Sequence, residues 1–214
     1  MCGRSDVRPF TLVRGPAAPL LLPDVDTDVL APAHSGRGEL AASAFAPLRY
    51  LTDGRDDPEF VLNDPRFRDA PILLAGRNFG CGSSREVAVW ALAALGVRCV
   101  IAPSFGDIFA GNCVQNGLLP IVLDAGVVAA VAAEAATGEP FEVDLDGCVV
   151  RTPSGRAVRF SVNPMRRTQL LEGLDDLGLT LRRLDEITAF QNADRIRRPW
   201  VHDLPAAGRH GAHQ

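Results

Sequence analysis

The chain has 214 residues, 47% hydrophobic and 22% charged, an ordinary globular composition that excludes disordered, collagenous and disulfide-scaffold classes. Its formal charge of −4 comes from 26 acidic and 22 basic residues, and every base is arginine. The missing lysine removes Schiff-base chemistry and lysine-dependent phosphate loops, and the acidic balance argues against a nucleic-acid footprint spread over the surface.

Taken in chain order, the stretches Arg8 to Arg14 and Ala17 to Leu22 read as short strands that lead into the acidic turn Asp24-Val25-Asp26-Thr27-Asp28. Ala33 to Gly38 and Thr52 to Pro58 have loop composition and are expected at the surface. Pro71 to Ala75 suits a buried strand, and Arg77 to Gly82 breaks it before a helical pattern that begins near Ser84. In that helix Val87, Trp90, Ala91, Ala94 and Leu95 recur at three- and four-residue spacing and are expected to face a core. A strand over Val97 to Ala102, a helix over Asp107 to Asn116, a strand over Leu118 to Leu123 and a helix over Ala125 to Ala136 follow. This β-α-β-α-β-α order implies a parallel or mixed sheet with crossover helices, an α/β architecture. Beyond Gly138 the runs at Phe141 to Leu145, Cys148 to Val150 and Arg156 to Val162 read as an antiparallel meander, and Pro164 to Leu171 and Leu184 to Asn192 as terminal helices. Residues 194–214 have almost no apolar periodicity and are expected to be mobile or used for contacts, which leaves 1–193 as the folded domain.

Cys2, Cys81, Cys99, Cys113 and Cys148 are odd in number and form no C-x-x-C pair, so the spacing offers neither a disulfide framework nor a self-contained zinc or iron–sulfur site. Charged residues interrupt the N-terminal apolar runs, and no stretch approaches the roughly 18 apolar residues of a membrane span, so a cytoplasmic protein without membrane contact is expected. His34, His202, His210 and His213 fall in loop or tail and are expected at the solvated surface.

The densest feature is Asn78-Phe79-Gly80-Cys81-Gly82-Ser83-Ser84-Arg85-Glu86, where a strand hands over to a helix. It fails three common motifs: the third glycine of a dinucleotide fingerprint falls on Arg85, the P-loop lysine is absent, and neither serine has the glycine spacing of a nucleophile elbow. One reading makes Ser83 a helix N-cap with Glu86 closing a capping box, worth about 1 kcal/mol. The other makes the loop a carboxylate site: glycines permit close approach, the free N–H groups at Ser84 to Glu86 favour an anion, and Arg85 adds a bidentate fork. A serine held among such donors can also serve as a base. Cys81 is expected to pack as a small hydrophobe.

Four ordered segments resemble the small subunit of 3-isopropylmalate dehydratase, a relative of the swivelling C-terminal domain of aconitase: Asp24 to Asp28, Ala75 to Glu86, Ile101 to Pro120 and Gly173 to Leu181. The resemblance implies a swivelling β/β/α domain over 1–193. It implies Ser83 as general base with Arg85 as the second catalytic residue, and Gly82, Ser84, Thr27 and Asp28 as substrate-binding. It also implies a [4Fe–4S] cluster on a separate large subunit, none on this chain, and hydroxy diacids as substrates. The sequence departs from the family pattern at Val87, where histidine is usual, and at Val29 to Phe45, which is shorter and lacks the usual basic and aromatic residues. Citramalate, methylmalate or dimethylmalate therefore stand beside isopropylmalate as substrates, and a noncatalytic anion-binding module is the rival from another class.

Overall fold

The chain enters through β1 (Leu12–Gly15), breaks at Pro16 and continues as β2 (Ala17–Leu20), and these two adjacent strands lie in different sheets. The structure is a computed structural model that describes residues 7–32 and 39–202. Three short helices follow, α1 (Thr27–Leu30), α2 (Leu40–Ser43) and α3 (Ala46–Arg49). Then β3 (Ile72–Ala75), α4 (Val87–Ala94), β4 (Cys99–Ala102), α5 (Asp107–Gln115), β5 (Leu119–Val122) and α6 (Ala125–Ala135) alternate. Strands β6 (Phe141–Asp144), β7 (Val149–Arg151) and β8 (Ala157–Arg159) and helix α7 (Pro164–Glu172) complete a first compact unit, residues 1–175. The second unit, 176–214, contributes α8 (Asp176–Leu181), α9 (Leu184–Arg197) and α10 (Pro199–His202).

One sheet is parallel throughout, in the order β2-β3-β4-β5, with Ile72 paired to Ala17 and to Cys99, and Cys99 to Leu119. Proline lacks the ladder N–H, so it belongs on edge strands, and Pro19 and Pro120 sit on the two edges β2 and β5. The other sheet is antiparallel, in the order β1-β6-β7-β8. The expected parallel sheet and antiparallel C-terminal part are both present, as two separate sheets, and the N-terminal strand β1 crosses over to join the C-terminal meander, with Val13 opposite Val143. A long-range pairing of this kind leaves no local sequence signal.

Alternation along the parallel strands fills two cores. Ala18, Leu73, Ala75, Val100 and Ala102 face one, closed by Leu30, Phe45, Phe79, the Ala88 to Leu92 face of α4, and Phe109. Ala17, Ile72, Leu74, Cys99 and Ile101 face the other, closed by Val128, Val131 and Ala135 of α6 and by Phe141, Val143 and Val150 of the antiparallel sheet. Each such aliphatic or aromatic side chain contributes roughly 1.5–3 kcal/mol on burial, and truncating one of the larger to alanine costs about 2–5 kcal/mol.

Two expectations are corrected, the buried face of α4 and the extent of the terminal helix. The buried face of α4 is Ala88, Val89, Ala91 and Leu92, while Trp90 is 46% exposed and Ala94 faces solvent. A helix this rich in alanine and valine has apolar residues all round, so spacing alone does not select the face. Of the described residues between Val29 and Phe45, Leu30, Ala31, Ser43, Ala44 and Phe45 are buried, and Phe45 meets the Phe60 ring at 5.7 Å. Helix α9 runs past Asn192 to Arg197, and α10 continues to His202, so the first part of 194–214 is helical. His202 is exposed, as expected, and its ring lies 3.1 Å from the buried carboxylate of Asp194. His34, His210, His213 and Cys2 lie outside the described residues.

Candidate active site

Parallel strands bring their carboxyl ends, and hence the loops that follow them, to one side of a sheet, and ligands in open α/β sheets bind there. Beyond β2, β3 and β4 the pairing resumes briefly inside these loops: Asp26 bridges to Cys81 and Phe79 to Phe105, both in parallel sense. The Gly80 N–H donates to Val25 O at 2.7 Å, the Thr27 N–H to Cys81 O at 2.9 Å, and the Gly106 N–H to Phe79 O at 3.0 Å. Asp24 adds a polar clasp, accepting from Asn78 Nδ2 at 2.9 Å and pairing with Arg77 at 2.9 Å. Three loops far apart in sequence are thereby welded into one surface.

Two glycines make the approach possible. A β-carbon on Gly80 would stand 2.2 Å from the Phe109 ring, at a φ of +72° that L side chains rarely adopt, and one on Gly106 would stand 2.6 Å from Gly80 O. Phe79, Phe105 and Phe109 pack below as an aromatic floor, with Phe79 edge-on to Phe109 at 5.6 Å. The start of α5 is thus pinned beside the glycine-serine loop.

The result is a cleft of about 310 Å³ lined by Thr27, Gly80, Cys81, Gly82, Ser83 and Arg85 on one side and by Gly106, Asp107, Ile108 and Phe109 on the other. Of the residues singled out from sequence, Ser83, Arg85, Gly82 and Thr27 meet here. Ser84 is exposed and does not line the cleft. Asp28 reaches it only through Arg85, whose Nη1 lies 2.5 Å from Asp28 Oδ1. Thr27 is 1% exposed, and its hydroxyl donates to Ser83 O at 3.0 Å, fixing the backbone from which Ser83 projects.

The capping-box reading of Ser83 does not hold. Helix α4 begins at Val87, its N-cap is Glu86, and no side chain caps it. Glu86 instead accepts from Asn116 Nδ2 at 2.8 Å, while Trp90 Nε1 donates to Asn116 Oδ1 at 2.9 Å. The motif therefore ends in an extended loop, tied through Glu86 to the far end of α5. Cys81 lines the cleft, partly exposed, rather than lying in the core. Burial first, then the charges of Asp26 and Asp24, push its thiol up and keep it protonated. Among the described residues no group of three or more His, Cys, Asp or Glu gathers in a way that could hold a metal ion, and no helix is long and apolar enough to cross a membrane.

Sequence reading missed the Gly106 to Phe109 wall. The available signal was topological: strands β3 and β4 are consecutive and parallel, so the loop after β4 must lie beside the loop after β3.

Comparison with known proteins places the chain in a family. Residues 37–126 match the model of the aconitase C-terminal domain, and residues 176–203 match that of the C-terminal domain of the 3-isopropylmalate dehydratase small subunit. A protein of Cupriavidus necator named 3-isopropylmalate dehydratase small subunit is 50% identical over 205 residues, covering 92% of this chain and 99% of its own. One of the same name from Rhodospirillum centenum is 48% identical over 198 residues, covering 90% and 98%. The crystal structure of a 3-isopropylmalate dehydratase from Methanocaldococcus jannaschii superposes with a TM-score of 0.61 at 28% identity, over 83% of this chain and 99% of that one.

Proposed function

This chain belongs to the family of 3-isopropylmalate dehydratase small subunits, and we propose that it works with a large subunit to isomerise 2-isopropylmalate to 3-isopropylmalate in leucine biosynthesis, in the cytoplasm. The observation that carries the reading is the intact Gly82-Ser83-Ser84-Arg85 loop at the carboxyl end of a parallel sheet, in a chain that matches relatives of that name over nearly their whole length. A noncatalytic module would have no use for both a serine and a guanidinium aimed into one cleft.

The reaction is a hydro-lyase cycle: water leaves a hydroxy diacid to give an alkene diacid, then returns in the opposite sense. Ser83 takes the proton from the carbon next to a carboxylate, and returns it in the hydration half. Charge that develops on that carboxylate is met by the Arg85 fork and by the backbone N–H groups of the Gly82 to Ser84 loop, which glycine leaves open to close approach. Thr27 acts through Ser83, holding its carbonyl, and Asp28 acts through Arg85, since a carboxylate repels the substrate's own. The [4Fe–4S] cluster of the family resides on the large subunit, where it would supply Lewis acidity, and this chain's residues supply proton transfer and carboxylate binding.

The test is turnover of 2-isopropylmalate, citramalate, methylmalate and dimethylmalate by this chain, with and without a cluster-bearing large subunit. Activity on 2-isopropylmalate that requires both chains is expected. A hundredfold preference for one of the smaller acids would transfer the assignment to that substrate, and no turnover of any by the assembled complex would favour the binding module.

A further inference from the structure

Among its described residues the second unit has helices but no apolar core. Helices α8 and α10 bury no residue, and α9 buries only Asp194, a carboxylate. Its large apolar side chains instead face outward: Leu177, Leu181, Leu184, Phe190 at 59% exposure, Ile196 at 85% and Trp200 at 69%. Phe190 and Ile187 also line an open groove of about 480 Å³ with Thr180, Arg183 and Glu186. Helices of 4–14 residues are marginal in water without tertiary packing of an apolar face, and contiguous exposed apolar surface marks an interaction site.

The buried charge shows that this surface is held in shape rather than merely frayed. Arg198 grips Asp194 with two bonds, Nε to Oδ1 at 2.7 Å and Nη2 to Oδ2 at 2.9 Å, and His202 Nε2 lies 3.1 Å from Oδ2. The chain turns at Arg198, and this clasp fixes α10 against α9, which orients Trp200. Tryptophan, phenylalanine and arginine are the residue types enriched where binding energy concentrates.

The segments outside the described residues offer few apolar side chains for such a face. Residues 1–6, 33–38 and 203–214 contain only Met1 and Leu204 as large apolar side chains. The segment that matches the C-terminal model of the small-subunit family, 176–203, coincides with this coreless unit, so the unit recurs in proteins named as one part of a two-part enzyme.

We propose that the outward face of α8, α9 and α10 is a docking surface for the large subunit, with Trp200 and Phe190 as its anchors. This rests on the two-chain reading above and extends it to a part of the molecule that holds none of the proposed catalytic groups. The partner that fits presents an apolar pocket for the indole, rimmed by acceptors for the neighbouring arginines.

The experiment uses the full chain and a cluster-bearing large subunit. Trp200→Ala and Phe190→Ala should each weaken subunit association at least about tenfold in titration calorimetry, while turnover at saturating large subunit stays within about twofold. Hydrogen exchange over 184–202 checks that the helices persist. A photo-crosslinking residue placed at Trp200 gives a second readout that does not depend on the truncations, and it should capture the large subunit. Association within threefold of the unaltered chain with helices intact overturns the proposal, as does crosslinking only to a second copy or within the same chain. If the subunits associate through this face yet no hydroxy diacid turns over, the reaction assignment fails while the docking surface stands.

Discussion

Thr27→Val isolates the bond that ties the proposed catalytic loop to its neighbour. The change keeps the shape of a side chain that is 1% exposed and deletes the hydroxyl that donates to Ser83 O at 3.0 Å. Ser83 itself faces the open cleft, where water can reach its carbonyl. The expected cost to stability is therefore that of an ordinary hydrogen bond, about 0.5–1.5 kcal/mol, not the larger penalty of an orphaned buried acceptor. At about 2–4 °C per kcal/mol for a chain of this size, calorimetry should show a fall in Tm of roughly 1–6 °C. The effect on turnover should be larger, because displacing a proton-transfer group by about 1 Å can cost on the order of 10²-fold. We expect kcat to drop about 10- to 100-fold in the complex, measured with the large subunit saturating, and Thr27→Ser, which restores the donor, to recover most of it. A Thr27→Val chain with kcat within twofold of the original and the expected fall in Tm would show that the loop needs no such tether, and the positioning argument would be wrong.

Ser83→Ala should lower kcat by at least about 10²-fold with little change in KM, whereas Arg85→Lys should chiefly raise KM, because a point charge cannot reproduce the fork; steady-state kinetics separates the two. Gly80→Ala forces a methyl to 2.2 Å from the Phe109 ring at a φ of +72°, so a fall in Tm beyond that of Thr27→Val is expected, and a change under about 2 °C would mean that the ring gives way. Hydrogen bonds from Arg198, opposed by burial and reinforced by His202, hold the Asp194 carboxyl at about 2, below its ordinary 3.8. Its contribution to holding α10 is therefore complete above pH 3.8 and disappears as pH falls through about 2; hydrogen exchange over 184–202 between pH 5 and 2 should show this, and Asp194→Asn should remove the pH dependence.

The parallel half of the fold was legible because each of its strands is a short apolar run set between helices, and such a pattern has few alternatives. The antiparallel half was legible as strands but not as a sheet: nothing local in Leu12 to Gly15 says that its partner is Phe141 to Asp144. Missing asymmetry explains the errors in α4 and the tail. An alanine-rich helix does not advertise which side is wet, and a helix end organised around Asp194 and arginines carries no apolar period to detect.

The site shows the same division between chemistry and geometry. Residue type singled out the Gly82 to Arg85 loop, and Gly82, Ser83 and Arg85 do line the cleft. Residue type gives no view of contacts between side chains: Thr27, which lines the cleft, donates to Ser83 O, and Asp28 pairs with Arg85. A carboxylate 2.5 Å from Arg85 Nη1 is itself the anion that this guanidinium would otherwise attract. The planar fork resolves the conflict: with five N–H donors, Arg85 can keep Asp28 on one edge and offer another to the substrate, whereas an ammonium in its place would have to choose. Pairing before substrate arrives also fixes the plane of the fork, so less side-chain entropy is lost on binding. On the proposed function, the acidic D-T-D turn beside a site for diacids thus makes physical sense as the support that aims the one basic group lining the cleft among the described residues.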